Sequence, residues 1–221
     1  MIEEYKNLVK EVENFIDEVE RCDEVQKSRV KYYKGAQILY SALHKNPKYM
    51  FIGINPGNGY FKQNNGKLLR EFEIQDKLEY SKLWFKYPIA RNTRKLFKLS
   101  GLTEYLEKSV KTNCYFLATT NEAELYKFMG NLKKIKAFEK VYLQSNLWLN
   151  KIIEIVEPQN IICEGKSAFL EFIKDKELEY IENEYILHTT YKKMNIIGYK
   201  RHLSHILHID KVANYLQTKS I

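Results

Sequence analysis

The run Tyr49-Met50-Phe51-Ile52-Gly53-Ile54 is strand-forming, and it stops against Asn55-Pro56-Gly57. Pro56 fixes a backbone dihedral, Gly53 and Gly57 permit close backbone approach, and Asn55 is left as the polar group at the carboxyl end of the strand. A second strand is expected over 109–118, which alternates poorly but is rich in Val, Tyr, Phe and Thr, and further apolar runs occur at Asn160-Ile161-Ile162-Cys163 and at Met194-Asn195-Ile196-Ile197-Gly198-Tyr199, with helical patterns between them. Strands alternating with helices imply a parallel sheet with helices on both faces. The expected fold class is therefore α/β: three layers, α/β/α, on a central, mainly parallel, four-stranded twisted sheet. Ligands of open parallel sheets bind beyond the carboxyl ends of the strands, which makes Asn55 a candidate reactive position. The same residue types also make ordinary turns, so the motif alone leaves a plain strand-to-loop connection open.

Residues 3–22 read as an amphipathic helix, with Tyr5, Leu8, Val9, Val12, Phe15, Ile16 and Val19 on one side and acids between them. A second, shorter helical segment is expected over 26–45. Residues 1–46 then form an N-terminal helical cap on a single domain, 1–221. The stretch 58–80 is polar around Asn64-Asn65-Gly66 and reads as a mobile loop. Helices are expected at about 91–100, 121–131, 139–156, 166–174 and 209–217. The third of these turns Val141, Leu143, Leu147, Leu149, Ile152, Ile153 and Val156 towards the core. Tyr185-Ile186-Leu187 reads as a further short strand.

At 221 residues and 44% hydrophobic content the chain is long and apolar enough to bury a substantial core. It has no apolar run near the roughly 20 residues of a membrane span. Its amino terminus is acidic and lacks a signal-peptide core. Cys22, Cys114 and Cys163 are far apart and odd in number, as expected of reduced intracellular thiols. A cytoplasmic monomer with no membrane partner is the expectation.

The net charge of +8 is unevenly spread, since residues 1–25 carry nine acids against three bases. Two windows lack acids altogether. Residues 80–103 hold Lys82, Lys86, Arg91, Arg94, Lys95 and Lys98; residues 185–209 hold Lys192, Lys193, Lys200 and Arg201 with four of the five histidines. Such local excess attracts polyanions and suits a phosphate backbone. A lysine-rich composition alone would give the same balance.

The second polar cluster, Lys200-Arg201-His202-Leu203-Ser204-His205, follows the last strand and is expected on the same sheet rim as Asn55. Here the chain resembles the uracil-DNA glycosylase superfamily. Gly53-Ile54-Asn55-Pro56-Gly57 matches the Asn-containing branch of the family's first motif, and His202-Leu203-Ser204 is similar to its His-Pro-Ser second motif except at the middle position. Arg91-Asn92-Thr93-Arg94-Lys95-Leu96-Phe97 with Leu99-Ser100-Gly101-Leu102 resembles the helix after the first motif. Val110-Lys111-Thr112-Asn113 resembles the base-reading strand, and Pro158–Gly165 resembles the third strand and its glycine. The similarity runs in order over about 48–217.

The resemblance implies a DNA glycosylase that hydrolyses the N-glycosidic bond of uracil or a related damaged base, in base excision repair. Asn55 and His202 are the implied catalytic residues. An amide takes up no proton near neutral pH, so Asn55 would hold a water through its carbonyl oxygen. His202 would donate to the base oxygen where charge develops. Gly53, Ile54, Pro56, Gly57 and Asn113 are the implied substrate contacts, Asn113 because one carboxamide donor and one acceptor complement uracil and not cytosine. Tyr60 and Phe61 are the candidates for stacking on the flipped base, Phe61 favoured, although either would equally serve as a loop anchor. Lys200, Arg201, Ser204 and His205 are the implied DNA contacts, and Lys200 and Arg201 would equally suit a solvated loop. Ile206 or Leu207 is the candidate wedge. No metal or cofactor is expected, since the cluster-bearing branches of the family need four cysteines. An inactive DNA-binding protein on the same fold is the alternative, because Leu203 stands where the family has proline. Zinc on His202, His205 and His208 lacks a supporting carboxylate pattern. Gly165-Lys166-Ser167 lacks the first glycine of a phosphate loop, and Ser204 lacks a nucleophile elbow.

Overall fold

The computed structural model describes residues 1–82 and 87–219. In chain order its elements are α1 Ile2–Arg21, α2 Gln26–Tyr32, β1 Gly35–Gln37, β2 Tyr49–Gly53, α3 Gly59–Gln63, β3 Leu69–Glu71, α4 Pro88–Leu99, α5 Thr103–Leu106, β4 Val110–Asn113, β5 Leu117–Ala118, α6 Glu122–Lys133, α7 Val141–Val156, β6 Asn160–Cys163, α8 Lys166–Ile173, β7 Ile181–Glu182, β8 Ile186–Tyr191, β9 Met194–Tyr199, β10 Arg201–His202, β11 His205–Ile206 and α9 Ile209–Lys219. They fall into two compact units: residues 1–39, 54–73 and 113–155, and residues 40–53, 74–112 and 156–221.

In the first unit α1 buries Tyr5, Leu8, Val12, Ile16 and Val19, the stripe that helical periodicity dictates. Its Phe15 ring meets the rings of Trp148 on α7 and of Phe138 edge-on. The expected helix over 26–45 ends at Tyr32, and the chain turns into β1 instead. The cause is Gly35. Its φ is +114°, and a Cβ there would stand 2.0 Å from the Leu69 carbonyl oxygen, so backbone packs directly on backbone. β1 pairs in parallel with β3 and antiparallel with β5. The stretch 58–80 is accordingly not all loop, since it contributes α3 and β3. On α7, Val141, Trp148, Ile152 and Val156 are buried, whereas Leu143 and Leu147 are exposed. Those two leucines, four residues apart, share the opposite face of the helix.

The second unit carries the central sheet, in the order β4-β2-β6-β9-β8-β7. β2 pairs in parallel with β6 from Tyr49↔Asn160 to Ile52↔Cys163, and β6 in parallel with β9 from Asn160↔Asn195 to Cys163↔Gly198. Parallel pairing needs crossovers, which the intervening helices supply. β8 and β7 then add antiparallel strands at the β9 edge. The sheet therefore has six strands rather than four: the short segment at Tyr185-Leu187 is the start of a full hairpin partner, Ile186–Tyr191, whose register runs the whole length of β9. Tyr49, Phe51, Ile162, Ile197 and Tyr199 project from one face into a core completed by Leu96 and Phe97 of α4 and Val212, Ala213 and Leu216 of α9. The fold is thus mixed α/β with a mostly parallel central sheet. No helix among the described residues is long and apolar enough to cross a membrane.

Candidate functional site

In the first unit the Asn55 turn is fixed against the segment around β5. Tyr115 N–H donates to the Ile54 carbonyl (3.0 Å) and Thr119 N–H to the Pro56 carbonyl (3.2 Å). Asn55 is half-buried, and its Nδ2 donates to the Pro56 carbonyl (2.8 Å), the Leu117 carbonyl (3.3 Å) and Thr119 Oγ1 (3.0 Å). The Thr119 hydroxyl spends its one proton on the Asn121 carbonyl (2.8 Å), so towards Asn55 it can only accept. Three acceptors around Nδ2 decide which way the amide points. Oδ1 faces away from them and has no protein donor among the described residues. Such a fixed carbonyl can hold one water O–H in a set direction.

Gly53, Ile54 and Pro56 are buried and Gly57 is exposed. Tyr60 is exposed; Phe61 is half-buried, with the Lys34 ammonium 4.8 Å from its ring centroid and Gly66 against its edge. These contacts are those of a loop anchor, the other role open to Phe61. Asn113 ends β4 and is buried.

In the second unit β2, β6 and β9 end side by side, at Gly53, Cys163 and Tyr199. The parallel register therefore brings Gly53 and Tyr199 to one rim, two strand spacings or about 10 Å apart. Beyond Tyr199 the chain forms a hairpin, with Arg201 opposite Ile206 and His202 opposite His205. His202 and His205 are exposed. Leu203, at the tip, is 79% exposed and has φ +54°. Proline holds φ near −65°, so this backbone could not accept the residue that the resembled motif carries there. Ser204 is pinned through its carbonyl, which accepts from Asn92 Nδ2 of α4 (2.6 Å). Lys200 pairs with Glu182 (2.8 Å), and the Arg201 side chain lies along Gly165, where a Cβ would meet Nε at 2.9 Å. Ile206 packs against the core, which leaves Leu207 the more exposed of the two wedge candidates.

The charge windows also resolve into separate roles. Arg94 is a staple, donating to the Tyr80 and Lys82 carbonyls (2.9 and 3.1 Å). Arg91, Lys95 and Lys98 are exposed. Lys86 lies outside the described residues.

A buried ionic cluster escapes the sequence reading. Lys111 of β4 donates through Nζ to Glu164 Oε2 and to the Tyr80 hydroxyl, and that hydroxyl donates to Glu164 Oε1 (2.7 Å). Lys111 and Glu164 are 6% and 3% exposed, so both charges are out of water. Burial, reinforced by the Glu164 carboxylate, holds the Tyr80 phenol well above its usual range and keeps it protonated. β2 lies between β4 and β6, so the bridge crosses its face. The Phe51 ring meets the Tyr80 ring at 5.8 Å, and Gly53 shares the Phe51 face by strand alternation. A lysine inside a buried strand and a glutamate directly after an apolar one are the sequence signals for this cluster.

No group of His, Cys, Asp and Glu side chains among the described residues is placed to hold a metal ion. No family model matches the chain, and no curated protein is found to match it.

Proposed function

We propose that the chain is a monofunctional DNA glycosylase of the uracil-DNA glycosylase type, a three-layer α/β/α hydrolase that removes uracil or a related damaged base without metal or cofactor. The observation that carries this reading is the clamped Asn55 amide, whose Nδ2 is committed to three acceptors while Oδ1 stays available. N-glycosidic cleavage leaves an oxocarbenium-like sugar and an anionic base. A water set in line by Asn55 Oδ1 supplies the positioning contribution, and the His202 imidazole is assigned the donor to the base oxygen. Asn113 is assigned the reading of the base edge. Extruding a base from a duplex costs a few kcal/mol, and the exposed Leu207 is assigned the side chain that fills the gap left in the stack.

The test is incubation with uracil-containing single-stranded and mismatched oligonucleotides, followed by alkaline cleavage of abasic sites. Strand breaks that Asn55→Ala abolishes would support the assignment. Breaks at the same rate with Asn55→Ala, or none across several lesions, would remove it.

A second reading, a DNA-binding protein without turnover, is favoured by the hairpin. Its Leu203 φ of +54° and exposed His202 depart from a proline-stiffened turn. Salt-dependent DNA binding with no abasic product would select it.

A further inference from the structure

The two acid-free windows meet in the second unit. Asn92 of α4 donates to the Ser204 carbonyl of the β10–β11 hairpin at 2.6 Å. α4 runs Pro88-Ile89-Ala90-Arg91-Asn92-Thr93-Arg94-Lys95-Leu96-Phe97-Lys98-Leu99 and contains no acid. Ala90, Thr93, Leu96 and Phe97 are buried, which leaves Arg91, Lys95 and Lys98 on the outer face. At 100° per residue these three fall within an arc of about 60°, and Asn92 lies about 60° further round from Lys95. The basic edge therefore borders the hairpin directly. None of the three cations has an acidic partner among the described residues, whereas Lys166, Lys200 and Lys211 of the same unit each have one. Seven residues of helix rise about 10 Å, close to the axial rise of three nucleotides of one DNA strand at roughly 3.4 Å each.

We propose that Arg91, Lys95 and Lys98, together with the adjoining hairpin tip, form the surface along which one phosphodiester strand of DNA is held. The choice of DNA rests on the function proposed above. The surface itself concerns binding and does not depend on turnover. Each cation neutralises one phosphate, while the exposed Leu203 and His202 stand beside the strand at the end where Ser204 is pinned. Arg94 takes no part, because its guanidinium is spent on backbone carbonyls.

The experiment is fluorescence anisotropy of a labelled, lesion-free 20-base-pair duplex over a salt series. It compares the full chain with R91Q/K95Q/K98Q and with K133Q/K134Q/K136Q. The second triple removes the same charge from exposed lysines elsewhere, so it measures net charge alone. Glutamine keeps helix propensity, and thermal melts confirm folding. Each phosphate contact contributes about 0.9 to the slope of log K against log salt. The α4 triple should therefore flatten the slope by about 2 to 3 and weaken binding at 0.1 M salt by roughly tenfold to several hundredfold. The control triple should change the slope by less than about 1. Equal effects of the two triples, no duplex binding by the wild type at low salt, or equally tight α4-dependent binding of polyglutamate would each overturn the surface. Alkaline cleavage assays on the same preparations separate the two ideas. Abasic product from the α4 triple at an unchanged KM would refute the surface and leave the glycosylase standing. α4-dependent binding without product would do the reverse.

Discussion

Cutting one side of the Lys111–Glu164 bridge should be far more damaging than replacing the whole cluster. In Lys111→Met, the Glu164 carboxylate stays buried with, among the described residues, only the Tyr80 hydroxyl, at 2.7 Å, to stabilise it. Breaking a buried pair in this way costs about 3–5 kcal/mol, a large share of the roughly 5–15 kcal/mol that holds a typical native protein together. In Lys111→Met/Glu164→Met both charges go, but the Tyr80 hydroxyl is orphaned at about 1–3 kcal/mol. Adding Tyr80→Phe removes that last polar atom, and the ring still packs on Phe51. The triple variant should then lie within about 1 kcal/mol of the wild type, or above it. Urea denaturation followed by circular dichroism reads all three. With a urea slope of about 2 kcal/mol/M, the single variant should lose roughly 1.5–2.5 M in midpoint and the triple variant little. A single variant that loses less than about 1 kcal/mol, or a triple variant as unstable as the single, would refute the reasoning.

Thr119→Val removes one of the three acceptors that orient Asn55 and, on the proposed glycosylase assignment, should lower kcat of base excision about tenfold with KM unchanged, while Thr119→Ser restores it. Gly35→Ala forces a Cβ against the Leu69 carbonyl at φ +114° and should cost about 3 kcal/mol or more in urea unfolding; a loss below about 1 kcal/mol would show that β1 can shift. Burial holds the His188 pKa below its usual value, with Lys219 adding to the effect and a hydrogen bond to Asn195 opposing it. The unfolded chain then binds the proton more readily, so His188 contributes stability that is complete above about pH 6.5 and is lost as pH falls through the depressed folded value. His188→Phe should flatten the change in urea midpoint between pH 7.5 and 5, and an unchanged slope would assign the dependence elsewhere.

The strands that build the parallel sheet were readable because each is a short apolar run closed by a polar or turn residue. Met194–Tyr199 and Asn160–Cys163 have the bounds that the pattern gives. β1 was hidden inside an apparent helix because Gly35 acts through contact with Leu69, far along the chain. Hydrophobicity alone points Leu143 and Leu147 inward, but helical phase sets them opposite Val141, Trp148 and Ile152, and both face out. At the candidate site the identity of Asn55 was legible, but its orientation was not. Its partners Leu117 and Thr119 lie 62 and 64 residues away. Nor could the motif foretell the sign of φ at Leu203.

The chain passes between its two compact units five times, at 39/40, 53/54, 73/74, 112/113 and 155/156. Neither unit is therefore a contiguous stretch of gene. A deletion series from either end removes parts of both before it removes one, and a shuffled chimera with one crossover exchanges halves that belong to no single body. Parts of this protein have to be probed by substitution, because no cut yields one of them whole.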